Sequence, residues 1–338
     1  MRGAVLYGPR DVRFEERDVP KIIKPTDAIV RISATCVCGS DLWPYRGINQ
    51  VPRPTPMGHE YCGIVEEVGH AVTSIKPGQF VIGSFFASDN SCPNCQIGYQ
   101  SSCELKEFVS TAQASILRVP LADGTLVATP AVPSQDLIPS LLTLSDVMGT
   151  GWFAADAANV KPGSTVAVVG DGAVGLLGVL SANQMGAGRI IAMSRHESRQ
   201  RLACEFGATD IVTERGDEGV ARIKELTSGM GADSVLECVG TQESMVQAIS
   251  SARKGGYVSY VGVPHGVEFD GEKLFYSHVH LHGGPAPVRR YLPAMIKLVW
   301  NRKIDPGKVF DLTLPLDQVA EGYRAMDERR AIKTLLRP

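Results

Sequence analysis

The stretch TVAVVGDGAVGLLGVL, residues 165–180, decides the fold predicted for this chain. It begins as an apolar, β-branched strand, ends as an apolar helix, and carries the pattern G-x-G-x-x-G between them. This context predicts a dinucleotide site: the first glycine permits a tight turn, the second lets a pyrophosphate approach, and the third packs the helix on the strand. The expected cofactor-binding residues of the turn are Gly170, Gly172, Ala173, Val174 and Gly175. A turn whose glycines serve packing alone is the alternative interpretation.

Strand-like and helix-like runs alternate after residue 160. RIIAMS, DSVLECVG and YVSYVGV have the pattern of strands, and ESRQRLACEFGA and MVQAISSARKG lie between them as helices. This alternation, with short glycine-bearing links, predicts an α/β fold with a doubly wound parallel sheet. The first half instead carries short strand-like runs broken by Pro and Gly, such as AIVRIS and FVIGSFF, and these predict a β-rich, barrel-like domain. A chain of 338 residues is long enough for both domains.

Composition and charge favour a small-molecule ligand. The chain is 44% hydrophobic and 21% charged with a formal net charge of -2, which is typical of a soluble globular protein and does not favour nucleic acid or an anionic membrane. The N-terminal stretch intersperses charges where an export signal needs an apolar run, and no segment is apolar over the length of a membrane span. We therefore expect a cytoplasmic protein whose eight cysteines stay reduced or bind metal.

The strand after the glycine turn ends where an NAD site normally places a carboxylate for the ribose 2′-hydroxyl. Here that place holds Ser194 and Arg195, with Arg199 one helical turn further on. Arginine and serine can hydrogen-bond a 2′-phosphate, whereas a carboxylate would repel it, so NADP is the favoured coenzyme and NAD the second choice. The alternative is a solvated arginine at the start of a helix.

Several motifs in fixed order extend the argument to the whole chain. They are CGSD at 38–41, GHEYCGIVEEVG at 58–69, SDNSCPNCQIGYQSSC at 88–103, LSDVMGTGW at 144–152, GDGAVG at 170–175 and GGPAPV at 283–288. Together they resemble the zinc-dependent medium-chain alcohol dehydrogenase family. The resemblance implies a catalytic, β-rich GroES-like domain over residues 1–149 and 292–338, and a Rossmann domain over 150–291.

The resemblance also implies a catalytic zinc held by Cys38, His59 and Asp146, with a fourth position left open. Glu60 is similar to the family glutamate that lies near the metal and exchanges with its bound water. Asp146 has an alternative role as a helix N-cap, because Ser-Asp precedes an apolar segment.

A second, structural zinc is implied for the cysteine-rich loop, in which the family has four cysteines. Cys92, Cys95 and Cys103 match the last three, and the place of the first is taken by Asp89, whose carboxylate is a competent zinc ligand. The alternatives are a loop held by packing without metal, and a disulfide cluster.

For the reaction, the resemblance implies hydride transfer with zinc as Lewis acid. Ser40 matches the hydroxyl that starts proton transfer, and the position of the family's relay histidine is occupied by Trp43, which cannot take up a proton. Trp43 and Phe85 are expected to line the substrate pocket, with core packing as the alternative. Lys333 matches a basic residue near the coenzyme pyrophosphate.

The function expected from these residues is a zinc-dependent, NADP-preferring alcohol dehydrogenase or carbonyl reductase. A polyol, sugar or amino-alcohol dehydrogenase of the same family is one alternative, and a zinc-free quinone-reductase-like or cofactor-binding protein is another. The family also implies a homodimer or homotetramer.

Overall fold

The computed structural model describes residues 1–338 and divides into two compact units. The first combines Met1–Gly149 with Pro287–Pro338, and the second is Thr150–Ala286. A second unit inserted between two parts of the first agrees with the order of the sequence motifs. The assignment of a functional role to each unit stays a prediction.

The first unit is rich in short strands, as the frequent Pro and Gly breaks predict. Its strands are β1 (Arg2–Gly8), β2 (Asp11–Glu16), β3 (Ala28–Cys36), β4 (Thr55–Pro56), β5 (Tyr61–Val68), β6 (Phe80–Gly83), β7 (Phe86–Ala87), β8 (Glu107–Phe108), β9 (Ile116–Val119) and β10 (Leu126–Ala128). Its helices up to this point are α1 (Leu42–Tyr45), α2 (Pro93–Gln96), α3 (Ala122–Thr125) and α4 (Ile138–Thr143), and α5 (Val147–Ala157) carries the chain into the second unit.

The second unit is a parallel sheet with helices between its strands. Its strands are β11 (Thr165–Val169), β12 (Arg189–Met193), β13 (Asp210–Val212), β14 (Ala232–Glu237), β15 (Ala252–Tyr260) and β16 (His280–Gly283), and its helices are α6 (Ala173–Gln184), α7 (Glu197–Glu205), α8 (Gly216–Leu226), α9 (Gln242–Ser251) and α10 (Gly271–Ser277). The strand order is β13-β12-β11-β14-β15-β16, with every neighbouring pair parallel. This is the doubly wound order, so the predicted α/β class is confirmed.

The chain then returns to the first unit and completes its large sheet. The closing elements are α11 (Val288–Trp300), β17 (Phe310–Pro315), α12 (Val319–Asp327) and β18 (Lys333–Arg337). The order is β10-β6-β5-β3-β18-β17, with β9 also paired to β3. Strand β18 therefore lies beside β3 although the two are about 300 residues apart in the chain. That pairing brings the C-terminal strand to the strand that leads into the CGSD motif.

Each unit has its own apolar core. In the second unit the central strand β11 is covered on both faces, and Val166, Ala167 and Val168 are completely buried. This explains why its sequence is continuously apolar and does not alternate with polar residues. In the first unit one cluster packs around β3, β5 and β9 and another around β1 and α12. None of the helices combines the length and apolar character needed to cross a bilayer.

Candidate active site and coenzyme-binding turn

Four potential metal ligands converge in the first unit. Cys38 follows β3, His59 and Glu60 directly precede β5, and Asp146 directly precedes α5. One ligand atom from each of these buried residues lies within 4.8 Å of the others. Asp146 Oδ2 is 3.6 Å from Cys38 Sγ and 3.3 Å from His59 Nε2. The structure thus brings together all four residues that the sequence predicted for the catalytic zinc.

The chemistry of this cluster fits a bound cation. Burial raises the pKa of the Cys38 thiol, and the Glu60 carboxylate raises it further. Burial lowers the pKa of His59, but Asp41 and Cys38 outweigh it, so the pKa lies well above its ordinary value. Glu60 Oε2 is buried without a hydrogen-bond partner. A thiol, an imidazole and two carboxylates around one buried point form a donor set suited to zinc.

The orientation of His59 depends on Asp41, the last residue of the CGSD motif. Asp41 Oδ1 lies 3.2 Å from His59 Nδ1, and Oδ2 accepts a 3.0 Å hydrogen bond from the Cys38 backbone amide. Gln113 donates to the same carboxylate at 3.3 Å and accepts from the Tyr323 hydroxyl at 3.0 Å. This network directs Nε2 of His59 toward Asp146 and the predicted metal position. No sequence signal pointed to Gln113 or Tyr323.

Lys333 also lies in this region. Its ammonium donates to Glu60 Oε1 at 2.6 Å and to the Val37 carbonyl at 3.2 Å. The side chains of Lys333 and Glu60 are 1% and 0% exposed. Burial lowers the pKa of Lys333, but the neighbouring Cys36, Glu60 and Cys38 outweigh it. The contact that the structure assigns to Lys333 is therefore with Glu60, and its predicted role at the coenzyme pyrophosphate stays a prediction.

Aromatic rings cover one side of His59. The ring centroids of Phe85 and Phe108 lie 6.2 Å and 5.6 Å from that of His59, and Phe86 packs against both phenylalanines. Phe108 is 52% exposed, although it is a large apolar residue. Phe85, which the sequence predicted for the substrate pocket, thus belongs to an apolar wall beside a predicted metal ligand. Sequence reasoning missed Phe86 and Phe108.

The other two residues predicted for substrate chemistry lie in and just before α1. Ser40 is half-buried in the turn between Cys38 and that helix, and Trp43 is half-buried in the helix itself. Ser40 is two residues from the predicted ligand Cys38 in the chain. The proton-relay and pocket roles stay predictions.

The cysteine-rich loop forms a second cluster of potential metal ligands. Ligand atoms of Asp89, Cys92, Cys95 and Cys103 lie within 4.8 Å of one another. Asp89 Oδ1 lies 3.3 Å from the sulfurs of both Cys95 and Cys103 and accepts a 3.1 Å bond from the Cys92 amide. Burial raises the pKa of Cys95, as do its contacts with Cys92 and Asp89. Every cysteine of the chain is a free thiol, which contradicts the disulfide alternative.

The glycine turn has the geometry that its sequence predicts. Gly170 has a φ of +120°, and a Cβ at Gly175 would lie 2.0 Å from the Gly170 carbonyl oxygen. A Cβ at Gly172 would meet nothing within 4 Å, so this residue faces open space. Gly172 is also the N-cap of α6, and Ala173 and Val174 form the first turn of that helix. The turn therefore leaves room for a pyrophosphate at a helix N-terminus, where its charge is favoured.

Two of the residues predicted for the ribose site, Ser194 and Arg195, lie between β12 and α7, and the third, Arg199, lies in α7. Ser194 is buried, and Arg195 is exposed in the turn that follows. The Ser194 hydroxyl donates to Asp171 Oδ2 at 2.8 Å. Arg199 Nη1 donates to the Asp171 carbonyl at 3.1 Å and lies 3.4 Å from Asp171 Oδ1. Asp171 lies between the first two glycines of the turn, and no sequence signal pointed to it.

Comparisons with known proteins agree with this fold and these clusters. The model of the alcohol dehydrogenase GroES-like domain matches residues 24–141, and that of the zinc-binding dehydrogenase domain matches residues 173–301. The chain combines one β-rich unit with one doubly wound unit and carries these motifs, which is the organisation of the medium-chain dehydrogenases. The chain belongs to the zinc-type alcohol dehydrogenase family, a family of oxidoreductases.

Individual relatives cover the whole chain. Zinc-type alcohol dehydrogenase B of Aspergillus flavus is 33% identical, over 100% of this chain and 81% of its own length. The NADP-dependent isopropanol dehydrogenase of Entamoeba histolytica is 30% identical, over 100% of this chain and 96% of its own length. Among solved structures, alcohol dehydrogenase TADH from Thermus sp. ATN1 is 31% identical with a TM-score of 0.91, and the match covers 100% of this chain and 99% of that one.

Proposed function

We propose that this protein is a zinc-dependent, NADP-preferring alcohol dehydrogenase or carbonyl reductase acting on small secondary alcohols and on ketones or aldehydes. The observation that carries the proposal is the buried cluster of Cys38, His59, Glu60 and Asp146, in which Glu60 Oε2 has no partner. A buried carboxylate oxygen without a partner is costly, and a cation at the centre of the cluster would satisfy it.

The side chains of this site have separate tasks in the proposal. Cys38, His59 and Asp146 would hold zinc, and Asp41 would keep the imidazole oriented by its 3.2 Å contact with Nδ1. When bound, zinc supplies a Lewis acid for the substrate oxygen and the nicotinamide coenzyme supplies or accepts hydride. Ser40 would hydrogen-bond that oxygen and pass on its proton. Because Trp43 stands where the family has a histidine, the proton would leave the site by another route.

The NADP preference has its support in the ribose-site residues. Arg195 is an exposed cation two residues after the end of β12, and no carboxylate occupies either of the two positions that follow the strand. A relative over the full chain, described above, is an NADP-dependent enzyme for isopropanol. A basic side chain at this point favours the 2′-phosphate, so NADP is preferred and NAD is the weaker coenzyme.

The coenzyme experiment measures kcat/KM with NADP and NAD on zinc-replete enzyme, for a panel of secondary alcohols and polyols. The same measurement is made on Arg195→Asp and on a control, Arg201→Asp, which changes an exposed arginine of α7 whose ion pair with Glu197 lies at the surface. We expect wild type and the control to prefer NADP and Arg195→Asp to lose that preference. A wild-type preference for NAD would refute the coenzyme proposal, and turnover of polyols alone would favour the polyol alternative.

Metal dependence is tested by zinc content and activity after chelation. Wild type should lose its activity when the chelator removes zinc from the Cys38 cluster, and it should regain that activity when zinc is added back. The Cys38→Ser variant should bind one zinc less per chain than wild type. Full activity in protein stripped of zinc would support the zinc-free alternative.

The proposed oligomeric state is a homodimer or homotetramer. β16 forms one edge of the parallel sheet, and an exposed strand edge can pair with a second copy. Light scattering on the purified protein gives the mass directly, and a monomer would refute the proposal.

A further inference from the structure

The glycine turn carries a charged side chain that its binding function does not need. Asp171 lies between Gly170 and Gly172, where the G-x-G-x-x-G pattern leaves the residue type open. Its Oδ2 accepts the 2.8 Å hydrogen bond of the Ser194 hydroxyl, which in turn accepts a 3.3 Å bond from the His196 amide. The Ser194 hydroxyl therefore already uses its proton in a hydrogen bond to a carboxylate.

Arg199 is held by the same residue. Its Nη1 lies 3.1 Å from the carbonyl and 3.4 Å from the carboxylate of Asp171. The side chains of this ion pair are 11% and 15% exposed, so the interaction is weakly screened. Two of the three groups proposed to receive a 2′-phosphate, Ser194 and Arg199, are thus occupied by one carboxylate.

The position of this carboxylate matters for coenzyme choice. An NAD site usually places an acidic side chain at the end of the second strand, where it accepts a hydrogen bond from the 2′-hydroxyl and repels a 2′-phosphate. Here the strand ends at Met193 and Ser194 follows it, but Asp171 reaches that serine from the preceding turn, 23 residues earlier in the chain. A carboxylate in hydrogen-bond contact with Ser194 lies close enough to a coenzyme 2′-phosphate bound by Ser194 to repel that phosphate.

We propose that Asp171 is a specificity-determining residue that opposes the 2′-phosphate and so allows NAD to be used beside NADP. Arg195 attracts the phosphate, and Asp171 weakens that attraction by its own charge and by occupying Ser194 and Arg199. The inference rests on the proposed NADP preference, because it concerns the same ribose site.

The test measures binding and not turnover, by calorimetric titration of the full chain with 2′,5′-ADP and with 5′-AMP. These probes share adenosine and a 5′-phosphate and differ in the 2′-phosphate. Asp171→Asn keeps the shape of the side chain and can still accept from Ser194, but it removes the charge. We expect Asp171→Asn to bind 2′,5′-ADP about tenfold more tightly and to change 5′-AMP affinity much less, because both probes carry the 5′-phosphate and only 2′,5′-ADP carries the 2′-phosphate proposed to lie at Ser194.

Two further variants separate this effect from a general change of charge or fold. Glu197→Gln removes a carboxylate from the first turn of α7 that has its own partner in Arg201, and it should change the affinity for 2′,5′-ADP less than twofold. Asp171→Ser places a different neutral side chain at the same position, and it should also bind 2′,5′-ADP more tightly than wild type does.

Equal or weaker binding of 2′,5′-ADP by both Asp171 variants would overturn the inference, since it would mean that Asp171 holds Ser194 and Arg199 in place for the phosphate. Failure of the proposed function has a different signature. If wild type binds 2′,5′-ADP no more tightly than 5′-AMP, the NADP preference fails, and the change between wild type and Asp171→Asn still decides the role of Asp171.

Discussion

Replacing Lys333 by methionine should destabilise the metal-free protein by about 3–5 kcal/mol, the usual cost of removing one partner of a buried ion pair. Lys333 Nζ is 2.6 Å from Glu60 Oε1, and neither side chain has solvent access to replace the lost partner. Burial raises the pKa of Glu60 and Lys333 lowers it, so the variant leaves a buried carboxylate whose charged form is no longer favoured. The double variant Lys333→Met/Glu60→Gln removes both charges and should recover most of the loss.

The assay is urea unfolding of the metal-free protein, followed by tryptophan fluorescence, for wild type, both single variants and the double variant. The coupling between the two sites should be at least about 3 kcal/mol. A matched control is Lys24→Met, because the Lys24–Glu107 pair has the same 2.6 Å distance but side chains that are 55% and 35% exposed. That control should cost less than about 1 kcal/mol. Additive losses in the double variant, or a Lys333→Met loss as small as that of the control, would refute the reasoning.

Three other regions of the first unit give further predictions. Asp89→Cys should slow the loss of zinc to a chelator, because a thiolate binds zinc more strongly than a carboxylate, and Asp89→Ala should speed that loss. The zinc content during dialysis measures both rates, and equal rates in the two variants would argue against Asp89 as a ligand. Trp43→Ala should raise kcat/KM for longer alcohols relative to isopropanol, and an unchanged ratio would show that the indole does not limit the pocket. Burial raises the pKa of Asp27, but Arg118 and the backbone amides of Lys24 and Ile23 outweigh it, so the pKa is lowered. A carboxyl group whose pKa is lowered in the folded state stabilises the fold at pH values above its pKa in the unfolded chain. Asp27→Asn should therefore lower the free energy of urea unfolding by about 2 kcal/mol at pH 7, and the difference between wild type and variant should narrow as the pH falls below about 4. A difference in this free energy that does not change with pH would contradict the prediction.

The glycine turn shows how far local sequence reaches. A strand, a turn with a positive φ at Gly170 and a helix that starts at Ala173 are all properties of neighbouring residues, and each is readable from residue types. The same holds for the alternation that predicted the parallel sheet. The predicted metal ligands came from motifs, and the structure brings them together because β3, β5 and α5 all begin or end at this point of the first unit.

The sequence by itself therefore determined the α/β class, the family, the dinucleotide turn and the two groups of potential metal ligands. Only the tertiary structure decided which side chains meet around them. Lys333 and Glu60 are 273 residues apart, and they pair because β18 lies beside β3, which in turn pairs with β5 directly after Glu60. Asp171 meets Ser194 because β11 and β12 are parallel neighbours whose carboxyl ends share one edge of the sheet. Such contacts depend on which strands lie side by side in the sheet, and the residues within one strand do not specify its neighbours.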